Sequence, residues 1–201
     1  MRELAGRLKY NIESNDVLFQ IKELTKKFNS IKRYTHIKNV ESLAVELAER
    51  FDVSPEEVSI AAYGHDLMRG LKNCEYMEYC RLYNYQPSKI EIKRPILLHG
   101  KISAMYLNSK FDISSSCYNA IYWHVSGHIN LDLTGKIIVV SDFCEIGRTH
   151  EEATIFRDEA FQNLEKVYLK VIKSKIEWAL KKNRPIIPES IEVWNSNFWE
   201  D

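Results

Sequence analysis

Ser54-Pro55-Glu56-Glu57-Val58-Ser59-Ile60-Ala61-Ala62-Tyr63-Gly64-His65-Asp66 is the stretch that decides how this chain is read. Ser54 can cap a helix, Pro55 suits its first turn, and Glu57 completes a capping box. Val58, Ala61 and Ala62 recur at helical spacing, and His65 continues their stripe toward a stop at Gly70. An imidazole on a buried face beside a carboxylate needs a partner, because burying unpaired polar groups is costly. The same combination recurs along the chain. His36 opens the face made by Val40, Leu43, Ala44, Leu47, Ala48 and Phe51. His99 stands beside Leu98, Ile102, Met105 and Tyr106, and His124 completes the series Cys117, Ala120, Ile121 at i, i+3, i+4, i+7. Asp142 follows the apolar run Ile137 to Val140.

Outward from these positions the pattern is helical nearly throughout. Val17, Ile21, Leu24 and Phe28 form a first amphipathic helix capped near Asn15-Asp16, and a second begins around Thr35. Residues 71–93 are polar and tyrosine-rich, a short helix or loop in which Tyr76, Tyr79, Tyr83 and Tyr85 would pack as a mobile lid. Pro95 opens the next helix, Ser114 to Ser116 cap another, and Gly127 marks a turn. The β-branched run at 137–140 could be a strand, but Ile138, Val139, Asp142 and Ile146 fit a buried helix among helical neighbours. A long helix spans about Phe161 to Lys182, with Lys175 and Trp178 in its inward series. Arg184-Pro185 ends it, and Ile186-Ile187-Pro188 crosses back to a short C-terminal helix.

The 201 residues suffice for one sizeable core, and no repeat or linker divides them, so one all-α domain is the simplest account. Lys plus Arg equals Asp plus Glu at 28 each, so no global field favours nucleic acid or an anionic membrane. No stretch approaches the roughly 18 apolar residues of a membrane span. Met1 to Glu13 scatters charges without an apolar region, unlike a secretory leader. Cys74, Cys80, Cys117 and Cys144 show no C-x-x-C spacing and suit reduced thiols in a cytoplasmic protein, buried at 117 and 144, at the surface at 74 and 80.

Imidazole and carboxylate without thiolate suit Fe, Mn, Co or Zn in a hydrolytic role. A lone inward histidine is usually a satisfied core residue; several converging segments make a metal site the economical reading. His128 and His150 are expected at the surface, and Lys101 on a solvated face.

The ordered set His36, His65-Asp66, Asp142 resembles the H…HD…D signature of the HD-domain superfamily of metal-dependent phosphohydrolases. Further motifs narrow the likeness: Arg33-Tyr34-x-His36, Leu97-Leu98-His99-Gly100, Tyr122-Trp123-His124-x-x-Gly127, Lys136 to Asp142, Glu145-Ile146-Gly147-Arg148, and Pro188-Glu189-Ser190-Ile191-Glu192-x-x-Asn195. These resemble the YqeK-type branch, the symmetrical bis(5'-nucleosyl)-tetraphosphatases, which split diadenosine tetraphosphate into two ADP. The likeness covers about residues 16–197. It implies a single HD-domain helical bundle over 16–201, with 1–15 as an N-terminal extension.

What else follows is implied by that resemblance. His36, His65, Asp66 and Asp142 would hold a divalent transition metal, iron first, with Mn, Co or Zn as alternatives. One ion is expected, with room for a second at His99 and His124. Asp66 would be catalytic, orienting the attacking water. Arg33, Arg69, His99, His124, Val125 and Arg148 would contact phosphate or nucleotide, and Pro185, Ile186, Ile187 and Pro188 would lie against the nucleoside. The partner is a dinucleoside polyphosphate or nucleotide, with no nucleic acid and no membrane, in a cytoplasmic enzyme for which a homodimer is a reasonable assembly. Three positions depart from the branch: Arg69 replaces a usual lysine, Ile146 a proline, and Val125 a small polar residue. Two alternatives stay open. One is an HD hydrolase acting on another nucleotide; the other is a nucleotide-binding sensor without catalysis.

Overall fold

Side-chain caps set most of the helix starts. Asp16, Ser30, Ser54, Ser88, Ser114, Asp132, His150 and Asn163 each accept a backbone N–H from three residues on, satisfying a donor the helix cannot. The structure, a computed structural model, describes residue 14 and residues 16–198. Its helices are α1 (Val17–Phe28), α2 (Ile31–Arg50), α3 (Pro55–His65), α4 (Asn73–Leu82), α5 (Lys89–Lys93), α6 (His99–Phe111), α7 (Ser115–Trp123), α8 (Leu133–Cys144), α9 (Glu151–Ala160), α10 (Leu164–Lys181) and α11 (Pro188–Ser196). A 3-10 turn, Pro95–Leu98, leads into α6. No strand occurs among the described residues. The extension expected at residues 1–15 lies outside the described residues, save Ser14.

Helix α8 is the axis of the bundle, packed against α2, α3, α7, α9 and α10. Ile137, Ile138, Val139 and Val140 are all 0% exposed, so the helix is apolar all round. That explains its strand-like look in sequence: a helix buried on every side loses its 3.6-residue alternation. Helix α3 packs on α2 and α7 through Val58, Ala61 and Ala62, small residues that bring backbones close. No described helix is long and apolar enough to cross a membrane.

Several expectations are corrected. Helix α2 begins at Ile31, not Thr35, because Ser30 caps it. Helix α3 stops at His65 rather than running to Gly70, so Asp66 is its C-cap, and only the Ser54 half of the capping box is evident. Residues 71–93 form two short helices, and Tyr76 and Tyr79 are fully buried core residues rather than a lid. Ile146 lies beyond α8 and is exposed. Cys80 is buried with Cys117 and Cys144, Cys74 is exposed, and all four thiols are free. Lys101 is held by Glu91 Oε1 at 2.7 Å and the Tyr85 hydroxyl at 2.9 Å, so it is not a solvated side chain.

Candidate metal centre and nucleotide clefts

Helix ends converge on the site. His65 is the last residue of α3, Asp66 its C-cap, His124 the C-cap of α7, and Asp142 sits in the last turn of α8. Three helix C-termini thus bring their partial negative charge toward one region, which favours a cation. His99 enters as the first residue of α6, and His36 from the second turn of α2. Gly100 permits the approach of α6: a Cβ there would lie 2.7 Å from His124 Cε1 and 2.8 Å from the Ile121 carbonyl oxygen.

One device orients three of the rings. Nδ1 of His65 meets the carbonyl of Ala62 at 2.6 Å, that of His99 the carbonyl of Ile96 at 2.6 Å, and that of His124 the carbonyl of Ile121 at 2.8 Å. A carbonyl only accepts, so these partners assign the proton to Nδ1 and leave each Nε2 lone pair facing the centre. His36 uses a carboxylate instead, with Nδ1 3.1 Å from Glu145 Oε1. Glu145 is itself fixed by Asn39 Nδ2 at 2.9 Å and the Gly147 N–H at 2.5 Å. This is how metal-ligating histidines are commonly held.

The inward atoms are close and underfilled. His36 Nε2 lies 3.1 Å from Asp142 Oδ1 and 3.8 Å from Asp66 Oδ2; His65 Nε2 lies 3.9 and 3.7 Å from the same two atoms. Both Nε2 atoms are buried and make no well-formed hydrogen bond. On the other side His99 Nε2 lies 3.0 Å from Asp66 Oδ1 and 2.9 Å from His124 Nε2. With both rings protonated at Nδ1, those facing nitrogens need a proton or a metal ion between them. His36, His65 and Asp66 form one trio that could hold an ion, and Asp66, His99 and His124 form another. Asp66 belongs to both, presenting one oxygen to each. The donor set is imidazole and carboxylate, which fits a borderline divalent metal.

The charges respond to this crowding. Burial opposes ionisation of Asp66, but His65, His99 and His124 overcome it and hold the carboxyl well below its usual range. Asp142 behaves alike, burial being outweighed by His36 and His65. Burial opposes the charge on His36 too, yet Asp142, Glu145 and Asp66 raise its pKa. Burial lowers the pKa of His65 and, aided by His99 and His65, pulls that of His124 well down.

Cations ring the centre. Arg33 Nη1 donates to Asp66 Oδ2 at 2.7 Å, and Arg148 Nη2 lies 3.4 Å from Asp142 Oδ1. Arg69 Nη1 lies 3.1 and 3.0 Å from the two His99 ring nitrogens. Two further basic residues escaped the sequence reading. Lys175 donates to the carbonyls of His124 and Val125 at 2.8 and 3.2 Å, and burial draws its pKa down to about 8. Its signal was a lysine inside an apolar helical series. Arg157 donates to the carbonyls of Cys144 and Glu145 at 2.6 and 2.8 Å, pinning the loop that carries Glu145 and Arg148. Nothing in the linear pattern singled it out.

A cleft of about 550 Å³ opens on the His99 side, lined by Arg69, His99, His124, Val125, Asp142, Lys175 and the crossing residues Pro185, Ile186 and Ile187. Pro188 borders an adjoining cleft instead. Arg33 and Arg148 lie across the centre, on a third cleft that includes His36. His150 is exposed, as expected, and sits on the rim of the first cleft; His128 stacks on Trp123 away from the centre.

The family model described as HD domain matches residues 33–171, and the chain belongs to the HD-domain family. Among its relatives are three proteins named bis(5'-nucleosyl)-tetraphosphatase, symmetrical. That of Bacillus subtilis is 28% identical over 164 residues, covering 81% of this chain and 88% of the relative. Those of Staphylococcus aureus and Halalkalibacterium halodurans are each 26% identical, covering 90% and 86% of this chain and 94% and 92% of the relatives. The crystal structure of a predicted HD superfamily hydrolase involved in NAD metabolism from Clostridium acetobutylicum superimposes with a TM-score of 0.84. It is 28% identical, covering 88% of this chain and 94% of that one.

Proposed function

We propose that this chain is a symmetrical bis(5'-nucleosyl)-tetraphosphatase that cleaves diadenosine tetraphosphate into two ADP. The observation that carries the reading is the pair of buried Nε2 atoms on His36 and His65, which make no well-formed hydrogen bond and face two ionised carboxylates where clefts lined with cations reach the centre. The names of three relatives that span most of the chain support the substrate. Residues 16–201 are taken as the catalytic domain.

His36, His65, Asp66 and Asp142 would hold the metal, which we take to be iron. A divalent cation bound there supplies a Lewis acid that offsets phosphate charge and acidifies water. The chain's own residues do the rest. Asp66, ionised and fixed by Arg33 and His99, accepts a hydrogen bond from the attacking water and aims it. The water oxygen bonds to one of the two central phosphorus atoms, and the bond from that phosphorus to the bridging oxygen breaks. The departing ADP keeps the bond electrons, and the water proton passes to solvent. Arg69 and Lys175 line the first cleft and would meet the phosphates of the retained half, adding charge complementarity as negative charge shifts to the leaving oxygen. The crossing residues Pro185 to Pro188 give that half's nucleoside an apolar wall. We take the protein to be cytoplasmic, a reading that its four free thiols support.

A second reading, hydrolysis of another nucleotide, draws on Arg69 in place of lysine and on the NAD-related description of the Clostridium protein. Product analysis separates the two. Anaerobic incubation of the metal-loaded protein with diadenosine tetraphosphate should yield ADP alone; ATP plus AMP, or phosphate from other nucleotides with the tetraphosphate untouched, contradicts the proposal.

A further inference from the structure

Symmetrical cleavage sets a geometric demand that one cleft does not meet. The scissile bridge is the midpoint of the substrate, so two equal ADP halves must extend in opposite directions from the centre. The cleft beside His99 takes one of them. We infer that the cleft beside His36 is a second nucleoside diphosphate site, which seats the other half of the substrate. This inference rests on the proposed tetraphosphatase reading.

Four observations carry it. First, the cleft has a volume of about 330 Å³, within the range of small-ligand sites, and it shares no lining residue with the first cleft. Secondly, the two clefts meet at the metal centre from opposite sides. His36 forms the wall of one and His99 and His124 the wall of the other, while Asp66 pairs with Arg33 through Oδ2 and with His99 through Oδ1. A bridge held at the metal centre beside Asp142, which lines the first cleft and lies 3.4 Å from Arg148 of the second, has a route into each.

Thirdly, the charge is right for two phosphates. Lys32, Arg33 and Arg148 face this cleft, and its one carboxylate, Glu145, is already engaged by His36, Asn39 and the Gly147 N–H. The first turn of α2 carries Lys32 and Arg33 and no acidic residue. Cations at the positive end of a helix are unfavourable on their own and acceptable when an anion binds there. Fourthly, Arg148 Nε makes no hydrogen bond, Glu145 Oε1 being 3.7 Å away, and the side chain is 41% exposed, so the guanidinium can turn to meet an anion at the mouth of the cleft.

The adjoining cleft near Tyr85 and Tyr122 is the rival seat, and the structure argues against it. None of the six histidine and aspartate positions lines it. Of its lysines, Lys101 is already consumed by Glu91 and the Tyr85 hydroxyl, and the cleft carries two carboxylates, Glu91 and Glu189, that oppose an anion.

The test uses the metal-loaded full chain and ADP as the probe. Equilibrium binding should give two ADP per chain. Thr35 lies exposed in the second cleft, so Thr35→Trp fills that space without touching the core. This variant should bind one ADP, at the affinity of the first cleft, and its KM for diadenosine tetraphosphate should rise about tenfold or more. Lys32→Glu, a surface charge reversal that tolerates folding, should weaken the same ADP and raise KM in the same direction. One ADP per chain in the unaltered protein, KM within about twofold in both variants, or loss of the second ADP on Ser88→Trp instead overturns the inference. If the unaltered protein binds two ADP but never forms ADP from the tetraphosphate, the tetraphosphatase reading fails, not the second site.

Discussion

Replacing Glu145 by glutamine changes one atom and should disable the metal centre while leaving the fold intact. Glu145 Oε1 faces His36 Nδ1 at 3.1 Å, and Oε2 accepts from Asn39 at 2.9 Å and from the Gly147 N–H at 2.5 Å. A glutamine has one oxygen and one NH₂ group. The Gly147 N–H is backbone and cannot turn around, so the oxygen must stay on its side. The NH₂ group then faces His36 Nδ1, which can only accept. The ring proton is driven to Nε2, the atom 3.1 Å from Asp142 that would ligate the metal. Loss of such a supporting partner commonly weakens metal binding about 10–100-fold, or about 1.4–2.7 kcal/mol. Stability should fall by less than about 1 kcal/mol, since the buried donors keep their acceptor. Glu145→Ala differs in kind, because it strands the Asn39 and Gly147 donors at about 1–3 kcal/mol each. Competition with a chromogenic chelator under anaerobic conditions, beside thermal melts of both variants, reads the two effects apart. Glu145→Gln holding metal within about threefold of the unaltered protein would refute the argument.

Three further outcomes follow from the geometry. Gly100→Ala should cost about 1–3 kcal/mol in thermal unfolding and depress turnover, because its Cβ would strike His124 at 2.7 Å; unchanged melting and activity would contradict the packing. Arg69→Lys restores the residue usual in the resembling branch but removes the guanidinium lying 3.0 Å from His99; kcat/KM for the tetraphosphate should change by no more than about tenfold, and abolished turnover would contradict a simple phosphate contact. The last concerns pH. The raised pKa of His36 gives the metal-free protein a stabilising contribution that is full below 6.5 and lost as pH rises through the folded value. Asp66 and Asp142, both depressed, act oppositely: their contribution is present above 3.8 and lost as pH falls through their folded values. A metal ligated by His36 would displace its proton, so binding near pH 6.5 should release protons and tighten with rising pH, which calorimetry in buffers of differing ionisation heat would measure.

Much of the architecture was legible because each helix keeps an apolar stripe and most carry a side-chain cap at the start. Asp142 was legible for a different reason: an uninterrupted apolar run has few ways to include a carboxylate without a partner. The order of His36, His65, Asp66 and Asp142 drew its meaning from a family resemblance rather than from periodicity. Glu145 shows where the reading ended. It lies outside a helix, 109 positions from the ring it orients, and only the fold brings the two together. Arg157 is similar, a surface-pattern arginine whose bonds go to loop carbonyls. Tyr76 and Tyr79 looked like lid residues because their neighbours are polar. In the structure α4 packs against the Pro95–Leu98 turn and α6, which buries both rings. The helix stop at Gly70 was misplaced because Asp66 turns the chain four residues earlier, and that early end aims the carboxylate at the centre.

The central claim is that metal held around Asp66 drives symmetrical cleavage. Its most direct test is an anaerobic titration of Fe(II) into chelator-stripped protein, following ADP formed from diadenosine tetraphosphate, beside Asp66→Asn. Turnover should start near zero, rise with added metal and saturate, with ADP the sole product and the variant flat throughout. Full activity in the stripped protein, or an Asp66→Asn variant within about tenfold of the unaltered one, would contradict the account.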